Sequence, residues 1–150
     1  MKTVVVTKTL RAPIEEVFEA YTDHERLADL PMVISAKVTV PGRTEKNGLG
    51  AVREVNGGLI WLREEMVGWE RPTLMEYSIT RSRPASTHEL GRVEFSEVPG
   101  GTKVVWTTRF GLENKMLAVA EAGFAAAFRF IFVMTLAQVE KRAIAASAAA

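Results

Sequence analysis

Residues 115–142 read KMLAVAEAGFAAAFRFIFVMTLAQVEKR, and this stretch decides the fold. It contains no proline, alanine recurs throughout, and Gly123 alone interrupts good helix formers. The pattern predicts one long helix from Lys115 to about Arg142, with Ala145 to Ala150 frayed beyond it. Met116, Ala120, Gly123, Phe124, Ala127, Phe128, Ile131, Met134 and Thr135 share one broad face, while Glu113, Glu121 and Gln138 lie elsewhere. Phe130, Phe132 and Val133 spill beyond that face, so the helix needs cover on both flanks or a second subunit against it. Met116 to Leu136 is long enough to span a bilayer. Glu121 and Arg129 argue against that, since each costs roughly 2.5–3.5 kcal/mol near a bilayer centre.

Ahead of this helix the chain reads as strands. Thr3 to Leu10 mixes β-branched residues with alternating polar ones, the mark of a strand covered on one face. Pro13 then suits a first helical turn, Glu15 and Glu16 favour its positive end, and Ile14, Val17, Phe18 and Tyr21 form an apolar stripe. Thr22 or Asp23 caps a second short helix to about Asp29, with His24 capping or solvating it, before Leu30-Pro31 breaks the pattern. Turn signals at Pro41-Gly42, Asn47-Gly48, Asn56-Gly57-Gly58, Arg71-Pro72 and Pro99-Gly100-Gly101 punctuate six further strands. These are predicted near Val33–Val40, Gly50–Val55, Leu59–Trp69, Leu74–Arg83, Thr87–Val98 and Thr102–Leu112. The expected fold class is α+β: a seven-stranded, curved antiparallel sheet wrapped around the long C-terminal helix, with two short helices after the first strand, as one domain over residues 1–150.

Composition narrows the function. The 19 basic and 18 acidic residues leave a net charge of +1 with no basic stripe, which gives nucleic acid no footprint. The chain has no cysteine, so disulfides, thiolate metal sites and cysteine nucleophiles are excluded and a cytoplasmic location is expected. Two histidines, His24 and His88, far apart in sequence, predict no metal site and no cofactor. Thr7, Lys8 and Arg11 interrupt the N-terminal apolar run too early for a secretory signal. The serines lack a nucleophile-elbow setting, and the glycines read as hairpin turns, not a phosphate loop.

A long sheet with one large element to cover it must curve, and incomplete filling of the curve leaves a pocket. Strand alternation nominates its wall: Met75, Tyr77 and Ile79, then Val93 and Phe95, then Val104, Trp106 and Phe110, facing Phe124 and Phe128 of the helix. On the fourth strand the parity of Val67 and Trp69 also turns Trp61, Arg63 and Glu65 inward. Arg63 and Glu65 would have to pair, with Arg53 a second partner for Glu65, because an isolated buried charge costs several kcal/mol. They serve either as a rim salt bridge fixing register or as a polar anchor for a ligand, together with Tyr77.

Four local signatures carry a family resemblance: Ala12-Pro-Ile-Glu-Glu-Val-Phe18 followed by Tyr21-Thr-Asp23; Gly50-Ala-Val-Arg53; Glu65-Met-Val67 leading to Trp69-Glu-Arg-Pro72; and Gly101-Thr-Lys-Val-Val-Trp106 ending at Phe110. In this order they resemble the START/SRPBCC superfamily, the helix-grip fold, and within it the polyketide cyclase/dehydrase-like branch. The resemblance implies a small hydrophobic partner, lipid-, aromatic- or polyketide-like, bound between sheet and helix. It leaves open a cyclase or dehydratase in which Glu65, His88 or Tyr77 moves protons, and a protein-interaction module of the chaperone-activator kind. A homodimer through the C-terminal helix is a further expectation.

Overall fold

The computed structural model describes residues 1–149. Its elements are β1 (Lys2–Leu10), α1 (Ile14–Thr22), a 3-10 turn (His24–Asp29), β2 (Ser35–Val40), β3 (Val52–Asn56), β4 (Trp61–Glu70), β5 (Leu74–Arg83), β6 (Ser86–Val98), β7 (Gly101–Leu112), a second 3-10 turn (Lys115–Ala120) and α2 (Glu121–Ala149). All seven strands join one antiparallel sheet in the order β1-β7-β6-β5-β4-β3-β2. Hairpins build β2 to β7 as a meander, and β1 closes on β7, so β1 and β2 are the two edges.

Half of the sheet's concave face is solidly packed. Phe18 of α1 is fully buried and meets Trp69 and Phe95 edge-on, at ring distances of 5.0 and 5.2 Å. The later part of α2 completes this core with Phe132, Leu136, Val139 and Ala143, spaced three or four residues apart and all buried. Along the edge strand β1, Arg129 of α2 donates to the Val5 carbonyl and Glu140 accepts from the Arg11 amide. On the opposite edge, the Glu25 carboxylate accepts from the Val38 amide of β2.

The helix differs from its sequence reading in three respects. Its first residues form the separate 3-10 turn, and its end stays helical through Ala149 instead of fraying at Ala145. Its buried face is rotated: Phe132 is buried, while Met116 and Ala127 are exposed. Apolar residues surround the helix on every side, so periodicity alone could not orient it. Glu121 is also buried, accepting from the Leu112 amide. α2 has the length and composition of a membrane-crossing helix, yet its Phe132–Ala143 stripe lies in the core, and Phe130 and Val133 stay exposed.

Gly91 of β6 positions the site described next. A Cβ there would lie 2.5 Å from ring atoms of Tyr77, which fills the space above the glycine. Gly91→Ala should force the Tyr77 ring from its place and lower stability by about 1–3 kcal/mol, read as a lower urea midpoint at unchanged m-value.

Candidate functional site

Beyond the packed half, the same concave face is hollow. A cavity of about 280 Å³ lies between the sheet and the earlier part of α2. Tyr77 and Ile79 of β5 with Trp106, Thr108 and Phe110 of β7 form its floor, and Phe124, Phe128 and Ile131 of α2 form its roof. Leu30 and Met32 after the first 3-10 turn, and Leu59 and Ile60 between β3 and β4, close the side. Floor and roof touch where Phe110 and Phe128 meet edge-on at 5.1 Å. Trp106 and Phe132 stack face to face at 3.7 Å and separate the hollow from the core.

The cavity has one strongly polar region. Arg53 of β3 and Glu64 of β4 line it at 5% and 4% exposure, with guanidinium Nη2 donating to Glu64 Oε2 over 2.8 Å. Behind Arg53 sits His24, whose Nε2 is 2.9 Å from the Asn47 carbonyl and whose Nδ1 is 2.9 Å from Arg53 Nη1. A carbonyl can only accept, so Nε2 carries the proton and Nδ1 accepts from Arg53. The ring is therefore neutral; burial and then the adjacent guanidinium push its pKa down to about 3. Tyr77 accepts from Trp106 Nε1 at 3.0 Å, and burial raises its pKa to about 12. Burial, reinforced by Tyr77, also holds the Tyr21 phenol well above its ordinary value. The Tyr21 hydroxyl and Arg53 Nε, both on cavity-lining residues, have no hydrogen-bond partner among the described residues.

A model of the family described as polyketide cyclase / dehydrase and lipid transport matches residues 1–142. The chain belongs to this family. Its fold is the helix-grip fold of the START/SRPBCC superfamily. A protein from Thermus thermophilus is 21% identical with a TM-score of 0.77, over 97% of this chain and 99% of that one. A START superfamily protein from Mycobacterium smegmatis is 10% identical (TM-score 0.71; 94% and 96% of the two chains), as is ginseng major latex-like protein 151 from Panax ginseng (0.70; 95% and 97%). At these identities the likeness concerns fold alone. No curated protein matches the chain.

In this polyketide cyclase/dehydrase and lipid transport family member, Tyr77, Ile79, Trp106, Phe110, Phe124 and Phe128 lie on the cavity wall. Met75 and Phe95 face inward but belong to the packed core. The inward charges on β4 are corrected: Arg63 and Val67 are exposed, and Trp61 and Glu65 share their face, with Arg83 lying over the Trp61 ring. Leu62, Glu64 and Met66 point inward instead. The reason is a bulge between Met66 and Gly68, which lets both Met66 and Trp69 face the core three residues apart. Counting back by twos from Trp69 therefore selects the wrong face. Gly68 within the strand was the available signal.

His24 is corrected too: it is buried against Arg53, where a helix-capping or solvated role was expected. His88 lies outside the cavity lining. Its Nδ1 accepts from the Ile79 amide, its Nε2 donates to Thr108 Oγ1, and its ring stacks on Tyr77 at 5.5 Å. No cluster of three metal-binding side chains occurs among the described residues.

The Arg53–Glu64–His24 group can be tested in two ways. Removing one partner strands a buried charge, so Arg53→Met or Glu64→Leu alone should cost about 3–5 kcal/mol in urea unfolding, with the double variant recovering much of the loss. His24 is neutral in the folded state and has a depressed pKa, so its contribution is complete above the ordinary pKa of 6.5 and is lost as pH falls from there towards 3. The loss is up to about 5 kcal/mol. His24→Gln should flatten that part of the stability–pH curve.

Proposed function

We propose that this protein binds a small, mostly apolar molecule in the cavity between its sheet and α2. One observation carries the reading: an aromatic-walled hollow of about 280 Å³ sits beside a core that is otherwise close-packed. An interior void forfeits contacts that side chains could have made, so it costs stability unless something occupies it. A ligand burying about 200 Å² of apolar surface there would gain about 5 kcal/mol before the costs of association. The family supports a ligand-binding type of protein, and lipid-like, aromatic and polyketide-like molecules all suit the lining.

Binding is better supported than turnover. The imidazoles of His24 and His88 have both nitrogens engaged, Glu64 is paired with Arg53, and the phenols of Tyr21 and Tyr77 hold their protons. These groups are arranged to hold charge still, and a general acid or base needs a pKa near the working pH.

The test uses N-phenyl-1-naphthylamine, a neutral probe that fluoresces in apolar surroundings. Wild-type protein should enhance its emission with a micromolar Kd and melt higher in its presence. Ile131→Trp, which fills the roof of the cavity, should weaken binding at least tenfold while keeping the far-UV spectrum. If wild type gives neither enhancement nor a thermal shift, the reading is wrong.

A further inference from the structure

We infer that the cavity selects a neutral ligand carrying a carbonyl-type acceptor oxygen, received by the Tyr21 hydroxyl and the Arg53 Nε–H. The inference rests on the ligand-binding reading above and names the chemistry of the ligand's polar end.

Tyr21 and Arg53 are 6% and 5% exposed, and each has a polar hydrogen without an acceptor among the described residues. Buried donors are almost always paired, so two such donors on one cavity are a departure that calls for an acceptor. Arg53 Nε can only donate. Tyr21 can accept as well as donate, and its burial keeps the proton on the phenol. The vacant role is thus that of an acceptor. Both atoms have almost no open area of their own although their residues line the cavity, so a small movement of both side chains accompanies binding.

Charge decides the rest. Arg53 is already neutralised by Glu64 at 2.8 Å, and His24 adds no charge. A ligand carboxylate would bring a second anion beside Glu64, in a place where water cannot screen the repulsion. A ketone oxygen offers two lone pairs to these donors without adding charge. The flat body attached to it suits the neighbouring rings: Tyr21 stands edge-on to Trp106 at 5.1 Å, and Trp106, Phe110 and Phe128 continue the wall.

Three rigid ligands of similar shape test this: fluorene, fluorenone and fluorene-9-carboxylate. By transfer from water alone the hydrocarbon should bind tighter than the ketone, so a preference for the ketone reports the donors. The expected result is fluorenone binding at least tenfold tighter than fluorene, the carboxylate weaker than fluorenone, and a bound-ketone C=O infrared band shifted to lower wavenumber. Tyr21→Phe deletes only the unpartnered hydroxyl and should melt no lower than wild type. It should erase most of the ketone preference and the band shift, lowering the affinity for fluorenone far more than the affinity for fluorene. If fluorene binds and fluorenone binds no better, if the carboxylate binds best, or if Tyr21→Phe changes neither preference nor band, the polar-end assignment is overturned and the apolar-cavity reading stands. If neither fluorene nor fluorenone binds while N-phenyl-1-naphthylamine does, the polar-end assignment falls and the apolar-cavity reading stands; if none of the three binds, both readings fall.

Discussion

Trp106 is the residue on which the interior turns. One face of its indole lies flat against Phe132, Tyr21 meets it at nearly a right angle, and its Nε1–H is committed to Tyr77. A large ring held in three directions cannot collapse into the adjoining space, so the hollow next to it persists where a smaller side chain would let α2 settle onto the sheet. Solid core and cavity are therefore consequences of one contact. After Phe132 the helix sends Leu136, Val139 and Ala143 into the core, and before it Phe124, Phe128 and Ile131 are left spanning the gap.

The polar side of the cavity obeys a different constraint. A guanidinium and a carboxylate withdrawn from water are tolerable only when their hydrogen bonds are supplied, and the protein supplies them through a relay of local choices: a carbonyl fixes the tautomer of His24, the imidazole lone pair then serves Arg53, and Arg53 serves Glu64. The relay joins the first 3-10 turn, the β2–β3 connection and strands β3 and β4. It ties the least regular part of the chain to the sheet and at the same time leaves the Arg53 Nε–H without an acceptor among the described residues.

The architecture was legible because each of its signals is local. Turn residues bound the strands, the proline after Ala12 marks the first helix, and the alanine-rich proline-free stretch marks the last. Half of the site was legible for the same reason: Tyr77, Ile79, Trp106 and Phe110 follow simple alternation on strands whose register holds at those positions. The polar side was hidden because it depends on a single extra residue in β4, which flips every side chain before it and exchanges Glu65 for Glu64. His24 was hidden for a second reason. Its burial is decided by Asn47 and Arg53, which are distant in sequence and are brought to it only by the folded sheet.

An open sheet of seven strands has two unprotected borders, each a template on which a foreign strand could grow. Here side chains from helical segments take up main-chain groups at both: Arg129 and Glu140 along β1 and the following residue, Glu25 along β2. A chain rich in apolar side chains carries a standing hazard of self-adhesion along such borders, and these three charged hands on the selvedge of the sheet leave a foreign strand less to grow on.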